Sequence, residues 1–151
     1  MKTAVVFLVL FLVGCSKPTE LSTNPAAIAN AGVTDKDVSL LGVRLGDPAS
    51  AIPADQIIET RDNGIRALKG ERAIRVADGK VVQLILLSQA DLSAFNIGTE
   101  AQIEKVFGKA DRMMDETLSS SPIHVYFYES KRLAVTWADS FGPVSIGDRL
   151  K

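Results

Sequence analysis

The chain has 151 residues, 46% hydrophobic and 23% charged, with 17 Lys and Arg against 18 Asp and Glu for a net charge of −1. That length supports one modest domain, and the near-neutral balance supplies no basic field for nucleic acid. A single Cys excludes an internal disulfide and any Cys-based zinc site, and a single His excludes sites that need two imidazoles.

The chain opens MKTAVVFLVLFLVGC, with Lys2 ahead of an unbroken apolar run from Ala4 to Val13. A helix of that length spans about 15 Å, roughly half a bilayer core, so the run fits the apolar region of a signal peptide rather than a membrane span. It ends in Leu12-Val13-Gly14-Cys15, which resembles, position by position, the lipobox of bacterial lipoproteins. The resemblance implies cleavage after Gly14, a diacylglycerol thioether on Cys15, and acylation of the new amino terminus, palmitate being a typical chain. Stable anchoring takes more than one acyl chain, and a triacylated Cys15 meets that need. Ser16 follows, where an Asp favours inner-membrane retention, so the outer membrane is expected if the host is Gram-negative. Residues 16–37 are rich in Ser, Thr, Asn, Pro and Ala without hydrophobic periodicity, the composition of a flexible tether. The expected organisation is a signal peptide over 1–14, a lipidated Cys and tether over 15–37, and a folded domain over 38–151.

Inside the folded domain, a pair of segments align. Leu45-Gly46-Asp47-Pro48 and Ile97-Gly98-Thr99-Glu100 each follow a short apolar stretch, Gly42–Leu45 or Phe95–Ile97, and each opens a helix. Asp47 is a cap with Pro48 at the first helical position, and Thr99 with Gln102 makes a capping-box pattern. Ile103, Val106 and Phe107 share a helical face, and Gly108 can end the helix. Strands are expected at Gly64–Lys69, Glu71–Ala77 and Lys80–Ser88, with Asp78-Gly79 as a two-residue hairpin turn. In the second copy they are expected at Ile123–Glu129, Leu133–Trp137 and Val144–Ile146, with turns at Glu129–Arg132 and Ser140–Pro143. The expected fold class is α+β, with short helices packed on an antiparallel sheet. It consists of two strand–helix–strand–strand–strand repeats, over 38–90 and 91–151.

The second copy carries a family resemblance. NIGTEAQIEKVFGKAD, VYFYES and LAVTWADSFGPVSI resemble the SmpA/OmlA (BamE-like) pattern, with Phe107-Gly108-Lys109-Ala110-Asp111 at its turn and Ala110 where Pro is commoner. The resemblance implies helices on a small antiparallel sheet in an outer-membrane lipoprotein. A tandem version is similar to the β-lactamase inhibitor protein, whose sheet binds a partner protein. Two copies depart from the single-copy barrel-assembly subunit, so no specific partner carries over.

Strand alternation assigns Ile123, Val125, Phe127, Leu133, Val135 and Trp137 to the helix-facing core. The opposite, open face would then show His124, Tyr126, Tyr128, Ala134 and Thr136, with Arg66 and Arg75 adding charge. Tyr, His and Arg suit a partner-binding surface, and Tyr and Thr also suit any solvated strand. Lys80–Ser88 is apolar on both faces, as in a central strand covered on both sides or a hydrophobic patch used by a partner. His124 near Ser119, Ser120 and Ser121 lacks the strained elbow of a hydrolase. Asp111, Asp115 and Glu116 lack calcium-loop spacing and read as a solvated helix end, and Met113-Met114 reads as core. No phosphate loop occurs. The expectation is a non-catalytic, cofactor-free and metal-free envelope lipoprotein, attached to the membrane through Cys15 and binding another envelope protein. The alternative is a small-molecule sensor with a pocket between the copies.

Overall fold

A computed structural model describes residues 39–118 and 121–148 of the chain. The expected signal peptide, lipidated Cys15 and tether lie outside the described residues. No helix among the described residues is long and apolar enough to cross a membrane.

Eight strands form one antiparallel sheet: β1 (Ile57–Thr60), β2 (Ile65–Leu68), β3 (Arg72–Ala77), β4 (Lys80–Leu86), β5 (Arg112–Leu118), β6 (Ser121–Tyr128), β7 (Leu133–Trp137) and β8 (Phe141–Gly147). Their spatial order is β1-β2-β3-β4-β8-β7-β6-β5. Each half of the chain therefore makes a four-strand meander. The last strands of the two meanders pair at the centre, with Leu84 opposite Ile146 and Leu86 opposite Val144. Strands β1 and β5 are left as the edges.

Local chemistry explains the turns. Asp78 and Gly79 both adopt positive φ, 50° and 73°. That is the backbone twist a two-residue hairpin needs, and Asp and Gly tolerate it best. Two short α-helices follow β4, α1 (Gln89–Ser93) and α2 (Ala101–Phe107). Only the Gln102 half of the expected capping box forms: Gln102 Oε1 accepts from the backbone N–H of Gly98 at 2.7 Å and of Thr99 at 3.0 Å, while Glu100, not Thr99, stands at the N-cap of α2, and no side chain caps it. Gly108 ends α2 at φ 85°.

The expected α+β class with two strand–helix–strand–strand–strand repeats is corrected: the molecule is mainly β, with few and short helices. Neither expected leading strand forms. Gly42–Leu45 is replaced by a tight turn, in which Leu40 and Val43 exchange backbone hydrogen bonds of 2.9 Å around Leu41 and Gly42 at φ 53° and 79°. Phe95–Ile97 is irregular, with Asn96 at φ 52°. The first helix shrinks to a 3-10 turn at Ala49–Ala51, boxed in by Pro48 and Pro53. Asp47 instead accepts the Arg44 N–H at 2.8 Å and braces the turn before it. Two strands had no sequence signal. β1 is mostly exposed, and β5 sets Met113 beside Met114 and Asp115 beside Glu116, which breaks alternation. The expected Ser140–Pro143 turn begins two residues earlier, at Ala138–Ser140, and Phe141 to Pro143 extend β8.

All described helices and the 39–56 segment pack on one face of the sheet. Phe95, Phe107, Ile103, Leu92, Val43 and Ile52 bury there against Leu68, Ile74, Leu84, Leu86, Val135, Val144 and Ile146. Phe95 sits 5.6 Å from Phe107 and 5.5 Å from Phe141, ring centre to ring centre. Each such side chain contributes roughly 1.5–3 kcal/mol by leaving water.

Candidate functional site

Register decides what each face displays, because directly paired residues point the same way. Tyr126 is opposite Val135, Tyr128 opposite Leu133 and His124 opposite Trp137. Val135 and Leu133 belong to the helix-side core, so the three β6 residues do too. The face assignment for β6 is therefore reversed, while that for β7 stands. Ile123, Val125 and Phe127 point to the second face with Thr136 and Ala134.

The five candidate binding residues do not form one surface. Tyr128 is buried at 3% exposure, and its hydroxyl donates to the Gly108 carbonyl at 3.1 Å. Burial, with Glu104 and Asp111 nearby, pushes the Tyr128 phenol up to about 12. Arg66 is on the helix side, where its Nη1 donates to the Ala49 carbonyl at 2.9 Å. Arg75 is on the second face and 5% exposed, donating Nε to Gln83 Oε1 at 3.1 Å and Nη2 to the Asp148 carbonyl.

His124 and Tyr126 do converge, on a residue the sequence did not single out. Glu100, just before α2, accepts through one carboxylate oxygen from Tyr126 Oη at 2.5 Å and from His124 Nδ1. Asp115 on β5 faces the other ring nitrogen, Nε2, at 3.9 Å. The Tyr126 hydrogen bond, then His124, holds the Glu100 carboxyl below its ordinary value against the opposing effect of burial. The hydrogen bond to Glu100, then the charges of Glu100 and Asp115, raise the His124 imidazole above its ordinary value. Burial and the Glu100 hydrogen bond lift the Tyr126 phenol well above the usual range. These contacts form a clamp that ties the start of α2 to β6. Ser119 and Ser120 lie outside the described residues, and Ser121 opposes Leu118 on β5. Among the described residues no group of three or more His, Cys, Asp or Glu is placed to hold a metal ion.

The second face carries a separate apolar cluster of Val125, Phe127 and Ala134, extended by Met114 and Ile123. Arg112 lies over the Phe127 ring at 3.9 Å from its centre, a cation–π contact. None of the described helices or turns belongs to this cluster. Two further expectations change here. Asp111, Asp115 and Glu116 are not a helix end: Asp111 accepts the Glu129 N–H at 2.7 Å, and the other two stand on strand β5. Met113 is 51% exposed rather than core, and Met114 is on the second face. Lys80–Leu86 is a central strand, with Val81, Leu84 and Leu86 buried on the helix side and Ile85 half-buried on the other.

No protein-family model and no curated protein matches the chain. Among solved structures it is similar to the crystal structure of a DUF4309 family protein (YjgB) from Bacillus subtilis subsp. subtilis str. 168, at 12% identity and a TM-score of 0.41, over 60% of this chain and 68% of that one.

Proposed function

We propose that this chain is a lipid-anchored cell-envelope protein that binds another envelope protein, without catalysis, in envelope or outer-membrane assembly or maintenance. The lipobox-like Leu12–Cys15 segment and the polar residues after it support the anchor. One structural observation supports binding: half-buried Ile123 and Met114 border the buried Val125, Phe127 and Ala134 cluster on the sheet face that no described helix covers. Aliphatic and aromatic side chains beside an Arg are the chemistry that accepts an apolar side chain and a neighbouring acidic group from a partner. The binding surface is thus the second face, not the Tyr126 and Tyr128 side.

In-cell crosslinking with mass spectrometry tests this, comparing wild type with Ile123→Lys and Ile85→Lys, two half-buried positions on that face. A partner captured by wild type and by Glu100→Gln, but lost in both Lys variants, supports the reading. The same capture in all four chains refutes it. Separately, Cys15→Ala should move the chain from the membrane fraction to the soluble one, and unchanged membrane fractionation refutes the anchor.

A further inference from the structure

We infer that the β5 edge is a self-association strand, pairing antiparallel with β5 of a second copy about a two-fold axis at Met114. This does not rest on the anchor or on a foreign partner.

The two edges of the sheet differ. β1 has four residues and a register break between Ile57 and Glu59. β5 has seven residues and pairs with β6 in unbroken register from Arg112 opposite Phe127 to Leu118 opposite Ser121. As the last strand in the sheet order it has no described strand beyond it to take its outward backbone donors and acceptors, and Met113 is 51% exposed.

Charge selects the partner and the register. A two-fold axis centred on Asp115 sets Asp115 against Asp115 of the other copy, and one centred on Glu116 sets Glu116 against Glu116. One centred on Met113 brings Asp111 against Asp115. Like charges directly opposite are unfavourable. Only the Met114 centre places Arg112 opposite Glu116 in both directions. These two residues point to the same face, since Arg112 pairs with Phe127 and Glu116 with Ile123. Glu116 forms no ion pair among the described residues. Arg112 is 54% exposed and holds Glu129 only at 3.8 Å, so its guanidinium keeps donors for a second carboxylate. Met114 then meets its own copy, and the two apolar clusters become one surface across the axis.

The test uses the full chain in cells, with cysteines introduced on β5. Directly opposite residues in an antiparallel pair have Cα atoms about 4.5–5.5 Å apart, within reach of a disulfide. Met114→Cys should give a reducible dimer whose linked peptide joins position 114 to itself, distinct from any product through Cys15. Met113→Cys and Asp115→Cys should not, because each faces the other across the axis. Adding Arg112→Glu to Met114→Cys should lower the dimer yield about tenfold, as two cross-strand attractions become repulsions. Adding Glu116→Arg as well should restore it. The swapped chain also lacks the Arg over Phe127, so recovery reports the ion pairs rather than a repaired fold. Absence of the 114 dimer, equal dimer at 113 or 115, or no recovery in the swap each overturns the inference.

Discussion

Replacing Glu100 by Gln keeps its shape and removes its charge, which isolates what the carboxylate does. The carboxylate accepts the Tyr126 hydroxyl at 2.5 Å and the His124 Nδ1 proton. A hydrogen bond to a charged group contributes about 1.5–3 kcal/mol and a neutral one about 0.5–1.5, so the Tyr126 bond alone should lose about 1 kcal/mol. Glu100 is one-third exposed, which keeps the loss at the low end of that difference. The His124 contribution adds to this with a definite pH dependence. Its imidazole is raised in the folded protein, so its stabilisation is fully present below the unfolded value of 6.5 and is lost as pH rises through the folded value. The Glu100 carboxyl is lowered, so its share is present above 4.5 and is lost as pH falls through its folded value. The deficit of Glu100→Gln should therefore be greater at about pH 5.5 than at about pH 8.5, while the Tyr126 contribution of about 1 kcal/mol is present at both. Urea unfolding at the two pH values measures it, and melting should shift by on the order of 5 °C at the higher pH. Equal stability of the two chains at the lower pH, or a deficit that does not change between them, refutes the clamp.

Phe107→Ala should cost about 3–5 kcal/mol by urea unfolding, because Phe107 is 1% exposed and packs on Phe95, Tyr128 and Phe141. Phe127→Ala, in the smaller second-face cluster, should cost less, about 1–3 kcal/mol; the reverse order would mean the faces are misassigned. Gly64→Ala should cost more than about 2 kcal/mol, since Gly64 has φ +80° and an added Cβ would sit 2.2 Å from the Val76 carbonyl oxygen. Tyr128→Phe should cost about 1 kcal/mol, the value of its bond to the Gly108 carbonyl, with no change in partner capture.

Strand β6 shows where sequence reading stops. Ile123, Val125 and Phe127 look like a core set, and His124, Tyr126 and Tyr128 look like a surface set. Both sets are large enough to bury, and alternation alone does not say which faces the helices. The choice is made by the neighbouring strand, whose Leu133 and Val135 lock Tyr128 and Tyr126 to the core side. Short-range chemistry was legible: the Asp78-Gly79 turn and the Gln102 cap act through residues next to them. The clamp was not. Glu100 meets His124 only after α2 and β5 have intervened, and no local pattern links the two. β5 was silent because, of residues 112–117, all but half-buried Met114 are exposed, so neither face demands an apolar alternation.

The central pairing of β4 with β8 has a consequence for how the molecule comes together. Inside each meander, neighbouring strands are close in sequence and their contacts can form early. The seam between Leu84–Leu86 and Val144–Ile146 closes a loop that contains the whole second meander, so its entropy cost is the largest in the sheet. Until β8, the last described strand, is in place, Leu84 and Leu86 lie on an open edge, with β3 on one side and no strand on the other. The newly made chain is therefore most vulnerable to aggregation through the strand that ends up best protected. A holdase that covers β4 would act on that species alone, because the finished sheet no longer exposes it.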